Sequence, residues 1–404
     1  MKKVCVLGLG YIGLPTAALI ANSGVKVIGV DLKKSIVDNI NNGVIDFQEQ
    51  NLRQIIEKVV SKKLLVANSK PINADVYLIA VPTPIIQKNP LPEADLQYVI
   101  KAALEISKVI KEKELVIIES TCPVGTTKKI SRIISQNSGL REDQFEIAYC
   151  PERVMPGNTF FELVNNNRVI GGMTKKASKK CIILYRSFCK GDLEITNHKT
   201  AELVKLSENS FRDVNIAFSN ELSILCERFN IDIYEVIKLV NKHPRVNILE
   251  PGCGVGGHCI PLDPWFIASS APDISNLIQT ARLVNTNKAR WVESKILSFA
   301  KKIEIIIKRK PIIGCMGLSY KPNVDDLRES PALEITLNLI NKGFKIMACE
   351  PNIKNHPLIK IFLEEDIIEK VDFLVFLVNH KSFKKINLRN IEYMDFCGIN
   401  NLIS

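Results

Sequence analysis

Residues 2–31 read KKVCVLGLGYIGLPTAALIANSGVKVIGVD, and this stretch decides the fold. An apolar segment runs into the glycine turn at residues 8–13, a helical pattern follows, and a second strand-like segment ends at Asp31. This order predicts a strand, a tight turn, a helix and a second parallel strand, which is the first crossover of a dinucleotide-binding fold. We therefore expect an α/β chain that begins with a nucleotide-binding domain.

The three glycines of the turn have separate steric tasks. Gly8 permits the tight turn, Gly10 lets the backbone approach a pyrophosphate, and Gly13 allows the helix to pack closely on the strand. The free N–H groups at the helix N-terminus then bind the phosphates. Asp31 lies 18 positions after Gly13, where a carboxylate accepts hydrogen bonds from the adenosine ribose and disfavours a 2′-phosphate. The turn predicts NAD rather than NADP, and a glycine turn without a ligand is the alternative.

Strand-like and helical segments continue to alternate beyond Asp31, to about residue 197. The strand-like segments are Val76–Val81, Leu115–Ser120, Phe145–Cys150, Val169–Gly172 and Leu193–Thr196, and helical periodicity covers Asp95–Ile110 and Thr127–Ser138. Two long helical segments follow, Thr200–Phe229 and Ile274–Lys302, and the alternation resumes at Pro311–Leu318, Lys345–Cys349 and Asp372–Val378. The pattern predicts two Rossmann-like, doubly wound parallel-sheet domains (residues 1–197 and 303–404) joined by a mainly helical middle domain (residues 198–302).

Composition excludes several classes of protein. The 404 residues are 46% apolar and 24% charged, values typical of a globular chain. The net charge of +11 comes from dispersed lysines without a nucleic-acid-binding module, so we expect it to attract anionic small molecules and not nucleic acid. No uninterrupted apolar run is long enough to span a membrane. Eleven cysteines without a C-x-x-C pair suit a reducing compartment, and we expect a cytoplasmic protein without a bound metal.

Three loops are expected at the carboxyl ends of the later strands, where open α/β sheets bind ligands. They contain Thr83, Thr121 and Glu152, within Val81–Pro84, Ser120–Thr127 and Cys150–Gly157. Each loop taken alone could be only a structural turn, but three at one sheet edge favour a binding site.

One face of the first long helical segment carries three polar groups, because Lys205, Asn209 and Arg212 follow one another at i, i+4 and i+7. A solvated polar stripe is the ordinary interpretation of this spacing. Apolar residues in the second half of the segment indicate a buried helix, which favours a functional stripe.

The segment Pro251–Pro264 reads PGCGVGGHCIPLDP and carries the most information in the chain. Its four glycines free the backbone around Cys259, and a thiolate placed there can attack a carbonyl group. A metal clip through Cys253, His258 and Cys259, or an inert buried cysteine, are the alternatives. Cys253 could also form a reversible disulfide with Cys259, or it could only fill space.

Six strings of sequence are characteristic of a known family. They are GLGYIGLPTAA (8–18), YCPERVMPG (149–157), RVIGGMT (168–174), ENSFRDVNIAFSNELS (208–223), HPRVNILEPG (243–252) and KPNVDDLRESPA (321–332). With them the chain resembles the UDP-glucose/GDP-mannose dehydrogenases from Gly8 to about His380. Members of that family oxidise the 6-hydroxyl of a nucleotide sugar to a carboxylate with two NAD.

The resemblance implies roles for individual residues. Cys259 is implied as the nucleophile, and Lys205 and Asn209 as the groups that hold the reacting oxygen. Asp263 is implied to orient the hydrolytic water, with Thr121 and Glu152 assisting. The implied NAD-contacting positions are Tyr11, Ile12, Asp31, Thr83, Thr121 and Arg328. The implied substrate-contacting positions are Arg153, Val154, Lys205, Asn209, Arg212, His243, Arg245, Gly256, Tyr320 and Lys321.

The resemblance also implies a substrate and an assembly. UDP-N-acetyl-D-mannosamine is the favoured substrate, with UDP-N-acetylglucosamine or UDP-glucose as alternatives, and the product suggests a role in polysaccharide synthesis. The loop that carries Arg245 implies a homodimer or larger homo-oligomer. Two positions depart from the family pattern, since Cys253 replaces a proline and Cys397 replaces a basic residue. An alternative of another class is a non-catalytic Rossmann protein that senses dinucleotides or binds nucleic acid.

Overall fold

The computed structural model describes residues 2–45, 52–154, 158–257, 259–388 and 391–399. The chain divides into two compact units. Unit 1 comprises Met1–Glu208 and Trp265–Ser270, and unit 2 comprises Asn209–Pro264 and Ala271–Ser404. The three domains with limits at residues 197/198 and 302/303 remain a prediction.

Unit 1 contains an eight-stranded sheet and a two-stranded hairpin. The strands are β1 (Lys3–Leu7), β2 (Lys26–Val30), β3 (Leu65–Asn68), β4 (Val76–Ile79), β5 (Ile85–Ile86), β6 (Glu93–Ala94), β7 (Leu115–Ile118), β8 (Glu146–Tyr149), β9 (Arg168–Gly172) and β10 (Leu193–Asn197). The large sheet has the order β10-β9-β8-β7-β4-β1-β2-β3, and β5 pairs with β6. Because β4 and β2 flank β1, the chain reverses its direction of winding at β1.

Among the described residues, seven helices lie wholly in unit 1. They are α1 (Gly13–Asn22), α2 (Lys34–Asn41), α3 (Leu52–Ser61), α4 (Gln97–Ser107), α5 (Thr126–Ser138), α6 (Thr159–Asn165) and α7 (Lys175–Tyr185). Successive residues of β1 point to opposite faces of the sheet, so Val4 and Val6 pack in one core with α1 and α3. Cys5 and Leu7 pack in a second core with α4 and α5. The predicted doubly wound sheet is confirmed.

One strand pair departs from the parallel arrangement. β9 runs antiparallel to β8, through the pairs Ala148–Gly172 and Tyr149–Gly171, whereas β10 is parallel to β9. The described part of the link between β8 and β9 contains the seven-residue helix α6. The parallel sheet that the sequence predicts is therefore corrected at this one pair.

The elements after β10 begin with a long helix. They are α8 (His198–Phe229), α9 (Ile233–Val240), α10 (Asp263–Ser270), α11 (Asn276–Ile307), β11 (Ile312–Met316), α12 (Pro331–Asn341), β12 (Lys345–Cys349), α13 (Glu364–Ile368), β13 (Phe373–Phe376), a 3₁₀ turn (Lys381–Lys385) and β14 (Glu392–Asp395). The four strands form a wholly parallel sheet in the order β12-β11-β13-β14. Ile313 and Cys315 of β11 pack with α11 and α12, and Met316 packs in a core on the other face. The second predicted α/β sheet is confirmed.

The segment between the two sheets is mainly helical, as predicted. Both α8 and α11 have 32 residues, and α8 begins directly after β10. α11 continues five residues beyond its predicted end and stops at Lys308, whose φ of 56° is left-handed. Within the described part of the chain, no helix is long and apolar enough to cross a membrane.

Candidate active site

The glycine turn in unit 1 has the geometry that its sequence predicts. Gly8 has a φ of 92°, and a Cβ there would lie 2.4 Å from the carbonyl oxygen of Ala80. A Cβ on Gly13 would lie 1.9 Å from the carbonyl oxygen of Gly8, whereas nothing approaches the corresponding position on Gly10 within 4 Å. Gly8 and Gly13 are therefore required for packing, and Gly10 leaves open space beside the turn.

The N-terminus of α1 fits a pyrophosphate. No side chain caps it, and no acidic residue lies in its first turn. The N-terminus of α5 differs, because the backbone N–H groups of Gly125 and Thr127 each donate to the buried carboxylate of Glu202 at 2.7 Å. The carboxylate of Glu202 therefore occupies the anion site at the N-terminus of α5. The corresponding site at the N-terminus of α1 has no side-chain cap, as a site for a phosphate requires.

Four other residues predicted to contact the cofactor lie in unit 1, and the fifth, Arg328, lies in unit 2. Tyr11 is exposed, and Ile12, Thr83 and Thr121 are half-buried. Thr83 follows β4 and Thr121 follows β7, which with β1 form three adjacent parallel strands. The structure therefore brings these positions to one edge of the sheet.

Asp31 follows β2 and is held by two backbone groups. The N–H of Leu9 donates to Oδ2 at 3.1 Å, and the N–H of Lys33 donates to Oδ1 at 2.9 Å. A carboxylate has about four acceptor sites, so it can accept ribose hydroxyls as well. Its orientation relative to the glycine turn is fixed before a ligand binds.

We expect Asp31→Ala to lower kcat/KM for NAD by about tenfold or more, since the ribose loses a charged hydrogen-bond acceptor. The preference for NAD over NADP should narrow at the same time, because a 2′-phosphate no longer meets a negative charge. Initial rates with both cofactors measure this effect. Asp38→Ala, which removes an exposed carboxylate on α2, is the control. An unchanged NAD/NADP ratio in Asp31→Ala would contradict the assignment.

The loop after β8 is tied to α8 by two ion pairs within unit 1. Glu152 Oε2 lies 3.9 Å from Lys205 Nζ, and both side chains are largely buried. Arg153 Nη2 lies 2.5 Å from Glu208 Oε1. The N–H of Val154 donates to the Glu152 carboxylate. Glu152, Arg153 and Lys205, predicted from separate segments, therefore lie together; Met155–Gly157 of this loop lie outside the described residues.

In unit 2, Asn209 and Asp263 form a buried pair. Asn209 Nδ2 donates to Asp263 Oδ2 at 2.5 Å, and the backbone N–H of Asp263 donates to the carbonyl oxygen of Cys259 at 2.9 Å. Lys205 precedes Asn209 by one turn of α8. Asp263 therefore orients the Asn209 amide, whose Nδ2 carries a second hydrogen. This contact was not anticipated from the sequence.

The glycine-rich loop before Cys259 packs against the loop after β11. A Cβ on Gly256 would lie 2.6 Å from the Tyr320 Cβ, and one on Gly257 would lie 2.9 Å from the Tyr320 ring. The N–H of Gly257 donates to the carbonyl oxygen of Arg328 at 3.0 Å. The glycines at 256 and 257 are therefore needed for this close approach, in addition to freeing the backbone near Cys259.

Several predicted binding residues of unit 2 surround the phenol of Tyr320. Burial raises the pKa of Tyr320, the charges of Asp326 and Cys259 act in the same direction, and Arg328 and Arg212 act against them. The Lys321 Nζ lies 5.7 Å from the centre of the Tyr320 ring. These residues form a cluster with two arginines and a lysine, which suits a diphosphate.

His243 and Arg245 lie on an exposed arch after α9. Asn241 closes the arch, because its side chain donates to the carbonyl oxygen of Ile248 and accepts from the Ile248 N–H. The side chains of His243 and Arg245 are exposed.

The alternatives for the cysteine loop can now be compared. Among the described residues no group of three or more His, Cys, Asp or Glu side chains could hold a metal, and His258 lies outside them. Cys253 is buried, and its thiol donates to the carbonyl oxygen of Leu377 at 3.3 Å. This contact favours the packing role over the disulfide with Cys259.

Cys259 is the one cysteine that is not buried, and the structure describes all eleven. Burial raises the pKa of the Cys5, Cys253 and Cys315 thiols to about 12, which suppresses their reaction. We expect iodoacetamide to alkylate Cys259 first, with loss of activity in proportion to the modified fraction. Mass spectrometry of peptides measures this order, and a first modification at any buried cysteine would contradict it.

Several buried carboxylates were not predicted from the sequence, among them Glu119, Glu202 and Glu350. Glu119 pairs with Arg168 at 3.2 Å and accepts from the Tyr185 hydroxyl at 3.0 Å, in the interior of unit 1. Glu202 holds α5, and Glu350 accepts hydrogen bonds in unit 2. The signal was present for Glu350, which directly follows a strand as Asp31 does. It was also present for Glu119 and Arg168, which are charges at the ends of apolar strands.

Comparison with known proteins agrees with this geometry. Residues 2–189 match the NAD binding domain of the UDP-glucose/GDP-mannose dehydrogenase family, residues 199–287 match its central domain, and residues 314–395 match its UDP binding domain. The chain belongs to this family. The predicted family, enzyme class and NAD cofactor are thereby confirmed, and a non-catalytic Rossmann protein is not favoured. The roles of the individual site residues stay predictions.

Relatives in the family cover nearly the whole chain. The UDP-N-acetyl-D-mannosamine dehydrogenase of Campylobacter jejuni is 48% identical over 412 residues, covering 98% of this chain and 99% of that protein. The NDP-N-acetyl-D-galactosaminuronic acid dehydrogenase of Ralstonia nicotianae is 43% identical, covering 97% of this chain and 94% of that protein. The structure of the UDP-D-ManNAc dehydrogenase of Pyrococcus horikoshii has a TM-score of 0.90 at 38% identity, covering 98% of this chain and 96% of that one.

Proposed function

We propose that this dehydrogenase oxidises the C6 hydroxyl of UDP-N-acetyl-D-mannosamine to the carboxylate, giving UDP-N-acetyl-D-mannosaminuronate. The observation that carries the chemistry is that Cys259, the only cysteine that is not buried, lies on the turn held to Asp263 and Asn209. The choice of sugar is supported by relatives that are 48% and 38% identical and are named for it.

NAD, when bound, accepts one hydride in each of the two oxidations. The α1 N-terminus and Asp31 would hold its pyrophosphate and ribose, assisted by Tyr11, Ile12, Thr83, Thr121 and Arg328. The open space beside Gly10 and the uncapped first turn of α1 support this fit.

Lys205 has the position of a group that handles the hydroxyl proton. Its ammonium pairs with Glu152 in a largely buried setting, so the carboxylate can take one proton from Lys205. The neutral amine can then accept the proton of the sugar hydroxyl and become the ammonium again. The second hydrogen of the Asn209 amide and the Lys205 ammonium then stabilise the oxygen that gains negative charge. Thr121 assists at the same edge of unit 1.

Cys259 links the two oxidations. Its sulfur adds to the aldehyde carbon, the thiol proton moves to the carbonyl oxygen, and a thiohemiacetal forms. Loss of the C6 hydride and the hydroxyl proton converts this adduct to a thioester. A water oriented by Asp263 breaks the C–S bond and returns the thiol. One alcohol, two NAD and one water thus give one carboxylate, two NADH and three protons.

The diphosphate and uridine would be held by the residues that the resemblance implies as substrate contacts. They are Arg153, Val154, Arg212, His243, Arg245, Gly256, Tyr320 and Lys321. Cys397 replaces the basic residue of close relatives, and its buried backbone N–H donates to Asp395 at 3.0 Å. The Tyr320 cluster, with its cationic neighbours, is the group that would compensate for the missing charge.

A panel of nucleotide sugars tests the choice of substrate. We expect NADH formation from UDP-N-acetyl-D-mannosamine to exceed that from UDP-N-acetylglucosamine, UDP-N-acetylgalactosamine and UDP-glucose. The third sugar belongs in the panel because the Ralstonia relative is named for a galactosaminuronic acid product. A higher kcat/KM for any other member of the panel would replace the proposed substrate.

We also propose that the enzyme is a cytoplasmic homodimer that supplies an aminouronic acid for polysaccharide synthesis. The sequence predicts that the second half of α8 is buried, but the helix carries a stripe of apolar side chains that are between 42% and 71% exposed: Phe211, Phe218, Leu225 and Phe229. This stripe supports the dimer. Exposed aromatic patches of this kind mark protein interfaces. A monomeric mass in equilibrium sedimentation would contradict the dimer, and Phe218→Glu should shift a dimer towards monomer.

A further inference from the structure

The two units repeat one structural device. Leu7-Gly8-Leu9-Gly10-Tyr11 follows the first strand of unit 1, and Met316-Gly317-Leu318-Ser319-Tyr320 follows the first strand of unit 2. Gly8 and Gly317 have φ values of 92° and 91°. The N–H of Gly8 donates to the carbonyl oxygen of Val30 at 2.8 Å, and that of Gly317 to Cys349 at 2.9 Å. The turns are therefore equivalent.

The carboxylates after the second strands are equivalent too. Leu9 N donates to Asp31 at 3.1 Å, and Leu318 N donates to Glu350 at 2.8 Å. Their surroundings differ, since Asp31 is half-buried and Glu350 is buried. Ser319 replaces the open glycine and donates its N–H to Glu350 at 2.9 Å. Glu350 therefore accepts hydrogen bonds from groups of the protein itself.

His380 is a buried hydrogen-bond partner of the Glu350 carboxylate. The Asn323 N–H and Asn352 Nδ2 both point at His380 Nδ1, at 3.1 Å and 3.2 Å, so this nitrogen is an acceptor. The ring proton then lies on Nε2, which donates to Glu350 Oε2 at 3.1 Å. Burial alone would raise the pKa of Glu350, but the hydrogen bonds from His380, Leu318 and Ser319 outweigh it and lower this pKa.

The same histidine holds the loop that carries Tyr320 and Lys321. Asn323 has a left-handed φ of 60°, an unusual conformation for a residue other than glycine. Its N–H is held by His380, and its Oδ1 accepts from the N–H of Lys381 at 3.0 Å. Ser319 Oγ at the other end of the loop lies 3.3 Å from His380 Nε2 and donates to the carbonyl oxygen of Lys321 at 2.9 Å.

We propose that His380, braced by Glu350, is a positioning residue that fixes the loop at residues 319–323 for binding of the nucleotide diphosphate. In unit 1, the carboxylate after the second strand is Asp31, which would bind the ribose. Its counterpart in unit 2 is Glu350, which holds this loop. The inference rests on the proposed function for the roles of Tyr320 and Lys321. His380 itself acts through the Asn323 N–H.

Two substitutions of His380 distinguish the roles of its two ring nitrogens. The amide of an asparagine at 380 can take the position of Nδ1 and accept from Asn323, whereas the amide of a glutamine takes the position of Nε2. We expect His380→Gln to raise the Kd for UDP and the KM for the UDP-sugar by about tenfold, as for loss of a buried hydrogen bond. His380→Asn should stay much closer to the parent. The kcat at saturating sugar and the KM for NAD should equal those of the parent in both His380 variants.

Calorimetry with UDP and thermal unfolding provide the readouts, with His356→Gln as the matched control on a histidine outside this network. An equal UDP affinity in His380→Gln and the parent would overturn the inference, and so would equal losses in the two His380 variants. If His380→Gln does not fold, Glu350→Gln decides, because it removes the carboxylate that braces His380 Nε2 and leaves the His380 ring in place. An unchanged UDP affinity there would also overturn the inference. A parent that binds UDP but oxidises no sugar refutes the proposed function alone.

Discussion

Replacing Cys259 by alanine is expected to abolish formation of the sugar acid, with a loss in kcat of about four orders of magnitude or more, as for removal of other catalytic nucleophiles. Without the sulfur no thioester can form, so the second oxidation has no bound intermediate to act on. The substitution removes one atom from a half-exposed side chain, and NAD and UDP should bind with unchanged affinity. Acid formation is measured by chromatography of the nucleotide sugars.

Cys253, six residues before Cys259, provides a control. Cys253→Ala removes a buried thiol that contacts the Leu377 carbonyl, so it should lower thermal stability while the Cys259 turn remains intact. Both variants therefore lose a sulfur, but only one should lose the acid. Normal acid formation by Cys259→Ala would place the nucleophile elsewhere.

Replacing Lys205 by alanine is expected to lower kcat by about a hundredfold to a thousandfold, the usual effect of removing one group that stabilises a developing oxyanion. The ammonium is largely buried and pairs with Glu152, so its loss also leaves that carboxylate without its cation. NAD binding should change little, because the N-terminus of α1 and Asp31 are unaffected. Single-turnover rates and fluorescence titration with NADH measure the two effects.

Lys199→Ala removes an exposed lysine from the first turn of the same helix and should leave the rate unchanged. Lys205→Arg is a second comparison, since it retains the charge but places it in a wider planar group. We expect it to recover only part of the activity. Retained turnover in Lys205→Ala would mean that the polar stripe on α8 is not catalytic.

The parts of the fold that the sequence predicted are those with a local steric or hydrophobic cause. Gly8, Gly13 and Asp31 each fulfil a requirement of a single turn, and the central strands are continuous apolar runs because both their faces are buried. β3 (LVAN) and β14 (EYMD) were missed because each has only four residues and neither is a continuous apolar run, and Val66 of β3 is exposed. The antiparallel direction of β9 depends on how the link from β8 returns to the sheet, which no local pattern encodes.

The candidate site likewise contains residues that the sequence predicted and contacts that it did not predict. Residue type and spacing were enough to single out Lys205, Asn209 and the loop of Cys259. The hydrogen bond between Asn209 and Asp263 joins positions 54 apart, and sequence spacing gives no sign of it. Glu202 was missed because it occupies a helix N-terminus from a distant segment. Such long-range contacts depend on packing, so the structure was needed to find them.

The ratio of NADH formed to UDP-N-acetyl-D-mannosamine consumed is the sharpest test of the thioester mechanism. Because a single cysteine-bound intermediate links both oxidations, we expect two NADH per sugar throughout the reaction, one equivalent of UDP-N-acetyl-D-mannosaminuronate, and no aldehyde in solution. Absorbance and chromatography of the same sample provide both quantities. A ratio of one, with aldehyde as the final product, would contradict the thioester mechanism and the role of Cys259 in it.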